Sequence, residues 1–417
     1  MGKRIAIAAI GTHGDIRPFV ALARALIHAG HDPVIGAPSD FQGFIAANGV
    51  EFFDFGGDMQ ALLGQGNFDA AMQKHSLSAM LSAAYDGFWL HYNAARTFPE
   101  LARGADALVY HMNTTHALDV AGALGIPAIM ALFQPLLPTR EHAYIAGIGP
   151  KLPAPFDPLS YLVLAAQQSF YDLPRYLLRP SVGYGRFFRT GFAKALRAGP
   201  VPTIHAYPEA VSPRPKDWPD NALVTGAWRL DEHPEWQIPA DLQVFLDEGE
   251  APVYIGFGSM SFGSARNEAI IREALEFWSG RAVLARGWGG LGGAEVPRNC
   301  FLLDKAPHDK LFPLMRAVVH HGGAGTTLAG LTAGRPSFVV PQFFDQPYWG
   351  ERVHALGCGP EPVLLKHLTG RRLADGLEAL VCNTDYAEAA RRLGDTLDAE
   401  DGAGTAVKRI EALVDAS

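Results

Sequence analysis

The run Ala317-Val318-Val319-His320-His321-Gly322-Gly323-Ala324-Gly325-Thr326-Thr327-Leu328 constrains this chain more than any other stretch. A β-rich segment passes through small residues into one bearing Leu328 and Leu331 that stops at Gly334-Arg335-Pro336, so the glycines fall where a strand hands over to a helix N-terminus. Helix N-termini attract anions, because their first amides lack intrahelical partners and the dipole is positive there. Gly322, Gly323 and Gly325 let backbone amides approach a phosphate, Thr326 and Thr327 can cap and donate, and His321 can add a donor or a charge. A tight turn that needs glycine for backbone reasons alone is the competing reading. Two common nucleotide fingerprints do not fit. A P-loop needs Gly-Lys-Ser/Thr, whereas Gly2-Lys3 is the one Gly-Lys here, and a dinucleotide site needs a third glycine where Leu328 stands.

The same handover recurs along the chain. Ile5–Ile10 reads as a strand, and Pro18–Ala29 as a helix with Phe19, Leu22, Ala23 and Leu26 on one face and Gly30 at its stop. Further strands are expected at Pro33–Gly36, Phe52–Phe55, Leu108–His111 and Ala128–Leu132. A second series is expected at Val253–Phe257, Val283–Arg286, Phe301–Leu303, Ala317–His320 and Phe338–Val340. Short apolar runs alternating with helical stretches indicate α/β layering with parallel strands. With 417 residues, two lobes are expected. The prolines between Pro200 and Pro252 mark residues 216–250 as a linker between lobes at 1–215 and 251–400, with a helix at 401–417 that can return to the first lobe.

Composition narrows the partners. Lys plus Arg total 35 against 43 Asp plus Glu, a net charge of −8, which excludes a general affinity for nucleic acid. At 48% apolar and 19% charged, the chain can bury a core and is not a disordered one. Cys300, Cys358 and Cys382 are far apart and suggest neither disulfides nor structural zinc, but small buried side chains in a reducing compartment. The opening apolar run enters Gly11-Thr12-His13-Gly14-Asp15 without a cleavage-type ending, and no run of about 18 apolar residues exists, so a cytoplasmic location is expected.

Three further segments carry chemistry. Gly11–Pro18 leaves the first strand with His13 and Asp15 at a helix start, where Asp15 is either the helix cap or a general base. Pro341-Gln342-Phe343-Phe344-Asp345-Gln346 leaves a later strand, and Asp345 with Gln346 suits vicinal hydroxyls or simply caps the next helix. Phe68, Phe88, Trp89, Tyr92, Phe133 and Tyr144 either line an apolar pocket or belong to the core. Residues 172–197 hold one acid against six Lys and Arg among aromatics, which reads as a solvated face or as peripheral contact with an anionic membrane.

Together, Gly11–Leu22, Val253–Met260 and Asp304–Gly359 resemble the GT-B nucleotide-sugar glycosyltransferases (family 1) that include sterol glucosyltransferases, glycopeptide-antibiotic glycosyltransferases and rhamnosyltransferases of glycolipid synthesis. The resemblance implies two Rossmann-like, doubly wound lobes facing an inter-domain cleft, with the acceptor on the first and the donor on the second. It places Gly258, Ser259, His321, Gly323, Gly325 and Thr326 at the diphosphate, Pro307 and His308 at the base and ribose, and Asp345 and Gln346 at the sugar hydroxyls. The implied reaction is inverting transfer of a hexose, glucose first, from UDP or dTDP to a hydroxyl of a hydrophobic acceptor, with Asp15 as base and His13 as its rival. Neither a metal nor a cofactor is implied. Acceptor contacts are expected from Phe88, Trp89 and Phe133. Plant members carry a tryptophan where this chain has Lys305, so base stacking falls to another residue such as Trp288, and Tyr110–Thr114 contains no aspartate to pair with the base. A nucleotide-sugar epimerase or hydrolase of the same fold, and a non-catalytic nucleotide-sugar or lipid binder, are the alternatives.

Overall fold

The computed structural model describes residues 2–64, 77–114, 116–143, 145, 159–162, 201–231, 235–257, 264–285, 297–304 and 306–416. They divide into two units. One holds Met1–Glu209, Arg214–Leu230 and Asp401–Ser417, and the other Ala210–Pro213 and Asp231–Glu400.

The first unit is built on a seven-stranded parallel sheet of β1 (Arg4–Ala8), β2 (Asp32–Ala37), β3 (Glu51–Asp54), β4 (Ala107–His111), β5 (Ala128–Leu132), β6 (Thr203–His205) and β7 (Ala222–Val224), in the order β3-β2-β1-β4-β5-β6-β7. Its helices are α1 (His13–His28), α2 (Gln42–Ala47), α3 (Met59–Gly64), α4 (Leu77–Leu101) and α5 (Ala117–Leu124). Strands such as Arg-Ile-Ala-Ile-Ala in β1 are apolar on both faces, as a parallel sheet covered on both sides requires, and Ile5, Ile7, Val34, Ile35, Leu108 and Val109 are buried. Because β1 and β4 are neighbours while the chain runs outward from β1 through β2 and β3, the strand order reverses between β1 and β4.

The second unit has a five-stranded parallel sheet of β8 (Val253–Gly256), β9 (Ala282–Ala285), β10 (Cys300–Leu303), β11 (Ala317–His320) and β12 (Ser337–Val339), in the order β10-β9-β8-β11-β12. Its order reverses between β8 and β11. Around it lie α6 (Ala240–Asp247), α7 (Ser264–Phe277), α8 (His308–Leu311), α9 (Ala324–Thr332), α10 (Gln346–Ala355), α11 (Gly370–Cys382) and α12 (Thr384–Asp398). Period-two alternation in β8 sends Val253 and Ile255 to one core with Val319, Leu373 and Leu377, and Tyr254 to another with Leu311, Phe312 and Val318.

The last helix, α13 (Gly402–Asp415), belongs to the first unit. Asp401 caps it by accepting from the Gly404 amide at 2.9 Å. It packs on α1, where the Lys3 amide donates to His31 Nδ1 at 3.1 Å and the opposite ring nitrogen, Nε2, donates to Glu411 at 2.9 Å. Gly402 lies against the carbonyls of Gly226 and Ala227, where a Cβ would come within 2.5 Å of the Ala227 oxygen.

Three details differ from the sequence expectations. Helix α1 begins at His13, five residues before Pro18, because Thr12 and Asp15 form a capping box that starts it early; Pro18 then lies inside and has no amide to give the Gly14 carbonyl. The proline-rich stretch after Pro200 carries β6 and β7, three-residue strands too short to show a period, and α6. Cys300 and Cys358 are buried, but Cys382 is exposed, on a helical turn where its thiol donates to Glu378.

Candidate functional site

Ligands of doubly wound sheets lie outside the carboxyl ends of the strands, where the order reverses. Each unit has such a point, and each is occupied by residues singled out from the sequence.

In the first unit, the chain leaves β1 through Gly11 and Thr12 and enters α1. Asp15 Oδ2 accepts from the Thr12 amide at 2.7 Å and from Thr12 Oγ1 at 3.0 Å, which fixes the carboxylate and leaves Oδ1 as its open oxygen. The carboxylate lies over Gly11, where a Cβ would be 2.7 Å from the Asp15 Cγ. Capping and exposure therefore coexist: Asp15 caps the helix with one oxygen and presents the other. His13 is exposed, with its ring against Phe44 at 4.6 Å and Phe41 at 6.4 Å.

The adjacent strand end brings a residue that sequence reasoning missed. His111, the last residue of β4, is buried, and its Nε2 lies 4.0 Å from Asp15 Oδ1. Its Nδ1 is 3.3 Å from the Ile10 carbonyl, which also accepts from Asn113 Nδ2 at 3.3 Å. Thr114 Oγ1 lies 3.0 Å from the Ala8 carbonyl and 2.7 Å from that of His111, tying the ends of β1 and β4 together. Burial pushes the His111 imidazole below its ordinary value, while Asp15 and the Ile10 carbonyl pull it back up. The signal for this contact was the strand order, which sets the ends of β1 and β4 side by side.

Phe133 is only 5% exposed. It stacks on His111 at 5.5 Å and packs against Phe19 at 5.1 Å and Trp228 at 6.0 Å. Its ring is thus core beneath His111, not the open pocket wall expected of it. Phe88 and Trp89 lie on α4 in a group with Tyr85 and Tyr92, and Tyr85 and Trp89 stand exposed. Phe68, Tyr144 and most of the basic stretch near 172–197 lie outside the described residues.

In the second unit, β11 ends in His320 and passes through His321 and Gly322 to α9, whose N-cap is Gly323. His320 Nδ1 accepts from the Gly322 amide at 3.0 Å, and Gly322 has φ +90° with Val339 and the Gln346 carbonyl close by. That combination of a left-handed φ and a crowded Cβ position requires glycine. His321 lies over Gly323, where a Cβ would be 2.6 Å from its Nε2. Thr327 Oγ1 donates back to the Gly323 carbonyl at 3.0 Å and is spent on the helix. Among the described residues, the amides of Gly323, Ala324, Gly325 and Thr326 donate to no protein acceptor, so they form a free donor row at the positive end of α9. Burial lowers His321 to about 4, so near neutrality the ring by itself is an uncharged donor.

The remaining residues singled out from the sequence in this unit divide. Asp345 stands at the N-cap position of α10, and its Oδ2 accepts from Trp349 Nε1 at 2.8 Å. It follows Phe344, whose φ of +54° places a bulky residue in the left-handed region, a local strain of the kind that accompanies functional loops. Gln346 is buried, and its Oε1 accepts from the amides of Gln342 at 2.8 Å and Phe343 at 3.3 Å, so its acceptor end holds the loop and its Nε2 is the end left for a ligand. Pro307 stands at the N-cap position of the one-turn α8, and His308 stacks on Phe312 at 4.5 Å. Gly258, Ser259, Trp288 and Lys305 lie outside the described residues.

The model for the glycosyltransferase family 28 N-terminal domain matches residues 5–132, and that for the erythromycin biosynthesis protein CIII-like C-terminal domain matches 290–413. A sterol 3-beta-glucosyltransferase of Arabidopsis thaliana is 33% identical over 430 residues, covering 97% of this chain and 64% of the relative. A second from the same plant is 32% identical over 426 residues, covering 97% and 67%. The chain belongs to this glycosyltransferase family. It spans about two thirds of the length of these family members. The crystal structure of the calicheamicin glycosyltransferase CalG4 superposes with a TM-score of 0.71 at 19% identity, covering 99% of this chain and 98% of that one, and shows that the fold is the GT-B one.

Within the family fold, the first unit thus offers a fixed carboxylate with one open oxygen and the second a neutral, main-chain anion cradle. The former can take a proton and the latter can hold phosphate oxygens.

Proposed function

We propose that the chain moves a hexose, glucose first, from UDP to a hydroxyl of a hydrophobic acceptor of the sterol class, with inversion and without a metal. The single observation that carries this reading is the donor row at Gly323–Thr326 beneath His321, an arrangement that suits the oxygens of a diphosphate. Asp15 Oδ1 removes the proton from the acceptor hydroxyl as its oxygen attacks the anomeric carbon from the face opposite the leaving group. The bond from that carbon to the diphosphate breaks, and the amides and His321 meet the charge that develops, which takes the place of a divalent ion. Asp345 and the Gln346 carboxamide hold the sugar hydroxyls, and His308 with Pro307 borders the nucleoside. Asp15 is favoured over His13 because its carboxylate is fixed at the strand-order reversal, whereas the His13 ring rests on Phe44 and Phe41.

The sterol class is supported by the names of the Arabidopsis relatives. No helix among the described residues is long and apolar enough to cross a membrane, and peripheral contact with a membrane that holds the acceptor belongs to the same proposal.

The deciding experiment is incubation with radiolabelled UDP-glucose and a panel of sterols and other apolar alcohols, with products identified by mass spectrometry and EDTA present in one arm. A glucoside that forms only with acceptor, in EDTA as well, is expected. Donor conversion without acceptor would instead indicate a hydrolase or epimerase.

A further inference from the structure

Asp15 and His111 meet in a way that ordinary orientation of a base does not explain. A carbonyl only accepts, so for His111 Nδ1 to bond the Ile10 oxygen at 3.3 Å, that nitrogen must carry the hydrogen. In the neutral ring Nε2 is then a bare lone pair, and it lies 4.0 Å from Asp15 Oδ1, which is also an acceptor. Two acceptors cannot bond, and the distance is too long for a hydrogen bond. The arrangement lacks one proton. The other carboxylate oxygen is already engaged by Thr12, so a proton arriving at Asp15 arrives at Oδ1, beside the waiting nitrogen.

The geometry points to His111 as the second proton site of this carboxylate: the proton taken from the acceptor hydroxyl at Asp15 Oδ1 is shared with, or passed to, His111 Nε2. This rests on the reading of Asp15 as the base. In the step, the O–H bond of the acceptor breaks, its electron pair forms the bond to the anomeric carbon, and the electrons of the old glycosidic bond leave with the diphosphate. Once Oδ1 carries the proton the two groups attract instead of repelling, the 4.0 Å gap closes to hydrogen-bond length, and the proton bridges Oδ1 and Nε2 until it returns to solvent after product departs. His111 acts through Asp15 and is therefore a positioning residue for the proton. The groups around it are suited to that task. Phe133 stacks on the ring, Phe19 meets its edge at 6.1 Å, and the titratable neighbours are Asp15 and His91, the latter lowered by burial to about 4 and so neutral.

Two measurements on the full chain test this. In ¹⁵N-histidine NMR of the wild type at pH 7.5, His111 is expected with a protonated Nδ1 and a bare Nε2; a hydrogen on Nε2 overturns the proposal, because the ring would then be a plain donor fixing the carboxylate. In kinetics, His111→Phe, which keeps the stack on Phe133, is expected to lower kcat about tenfold or more with the KM for UDP-glucose within about twofold. His111→Gln is the discriminating variant, since its amide can hold the carboxylate but cannot take its proton. It is expected to stay as low as His111→Phe, and a Gln variant within about twofold of wild type overturns the proposal. Asp15→Asn separates the two levels: if it keeps its activity, the assignment of the base has failed, whereas its loss beside an active His111→Gln refutes the second proton site alone. Should a variant fail to fold, the wild-type tautomer still decides.

Discussion

The two strand-order reversals solve different problems with different materials. At the first, between β1 and β4, the proposed chemistry falls to side chains: a carboxylate held by Thr12, an imidazole behind it, and aromatic rings beneath. At the second, between β8 and β11, the proposed binding of phosphate falls to the main chain, through the amides of Gly323 to Thr326, beside a histidine whose pKa burial lowers to about 4. A base must change its protonation state and needs a titratable group; a phosphate cradle must not, and amides whose strength does not depend on pH serve better.

The contrast can be broken at either end. The largest expected effect is that of Asp15→Asn, which removes the open acceptor while preserving the bulk over Gly11: kcat should fall by about 10²–10⁴, with UDP affinity unchanged by calorimetry. Next is Gly323→Ala, whose methyl would meet His321 Nε2 and push the ring off the cradle. Here the KM for the donor should rise about tenfold, a loss of about 1.4 kcal/mol of binding, with the melting temperature little changed. Gly322→Ala should do the opposite. With φ at +90° and Val339 and the Gln346 carbonyl in the way, it is expected to cost about 1–3 kcal/mol of stability in denaturant melts before any effect on the donor is seen.

The most graded effect is that of pH on stability. His91 and His321 are lowered to about 4 and His205 to about 3, all chiefly by burial. Because the unfolded chain takes up these protons near 6.5 while the folded one resists, the stability they share in is intact above about pH 6.5 and is lost as pH falls toward 4. Thermal melts at pH 7.5, 6 and 5 should show a falling midpoint; a flat series would mean these rings are protonated in the folded state.

Most of the layering was legible in the sequence, because buried parallel strands write themselves as apolar runs and the two glycine-bearing exits stand directly after such runs. β1, β4, β8 and β11 fall where the runs are. β6 and β7 are not legible, since three residues bracketed by prolines show no period. The start of α1 was obscured by Pro18, which looks like a first helical residue and is an interior one. At the site, residues that sit together along the chain could be grouped, as Gly11 to Asp15 and His320 to Thr327 were. His111 could not, because its relation to Asp15 spans 96 positions and exists only through the pairing of β1 with β4. Phe133 could be read either as pocket lining or as core, because composition does not separate the two, and its burial against His111 places it in the core.

The return of α13 to α1 has a consequence for how the molecule is made. Residues 402–415, with Glu411 on His31 and Gly402 against Gly226 and Ala227, complete the first unit, yet a ribosome reaches them only after it has translated the whole of the second. Vectorial synthesis normally lets an N-terminal domain finish before its successor emerges. Here the earlier-born unit waits, with one flank of α1 bare, until the later one has left the exit tunnel.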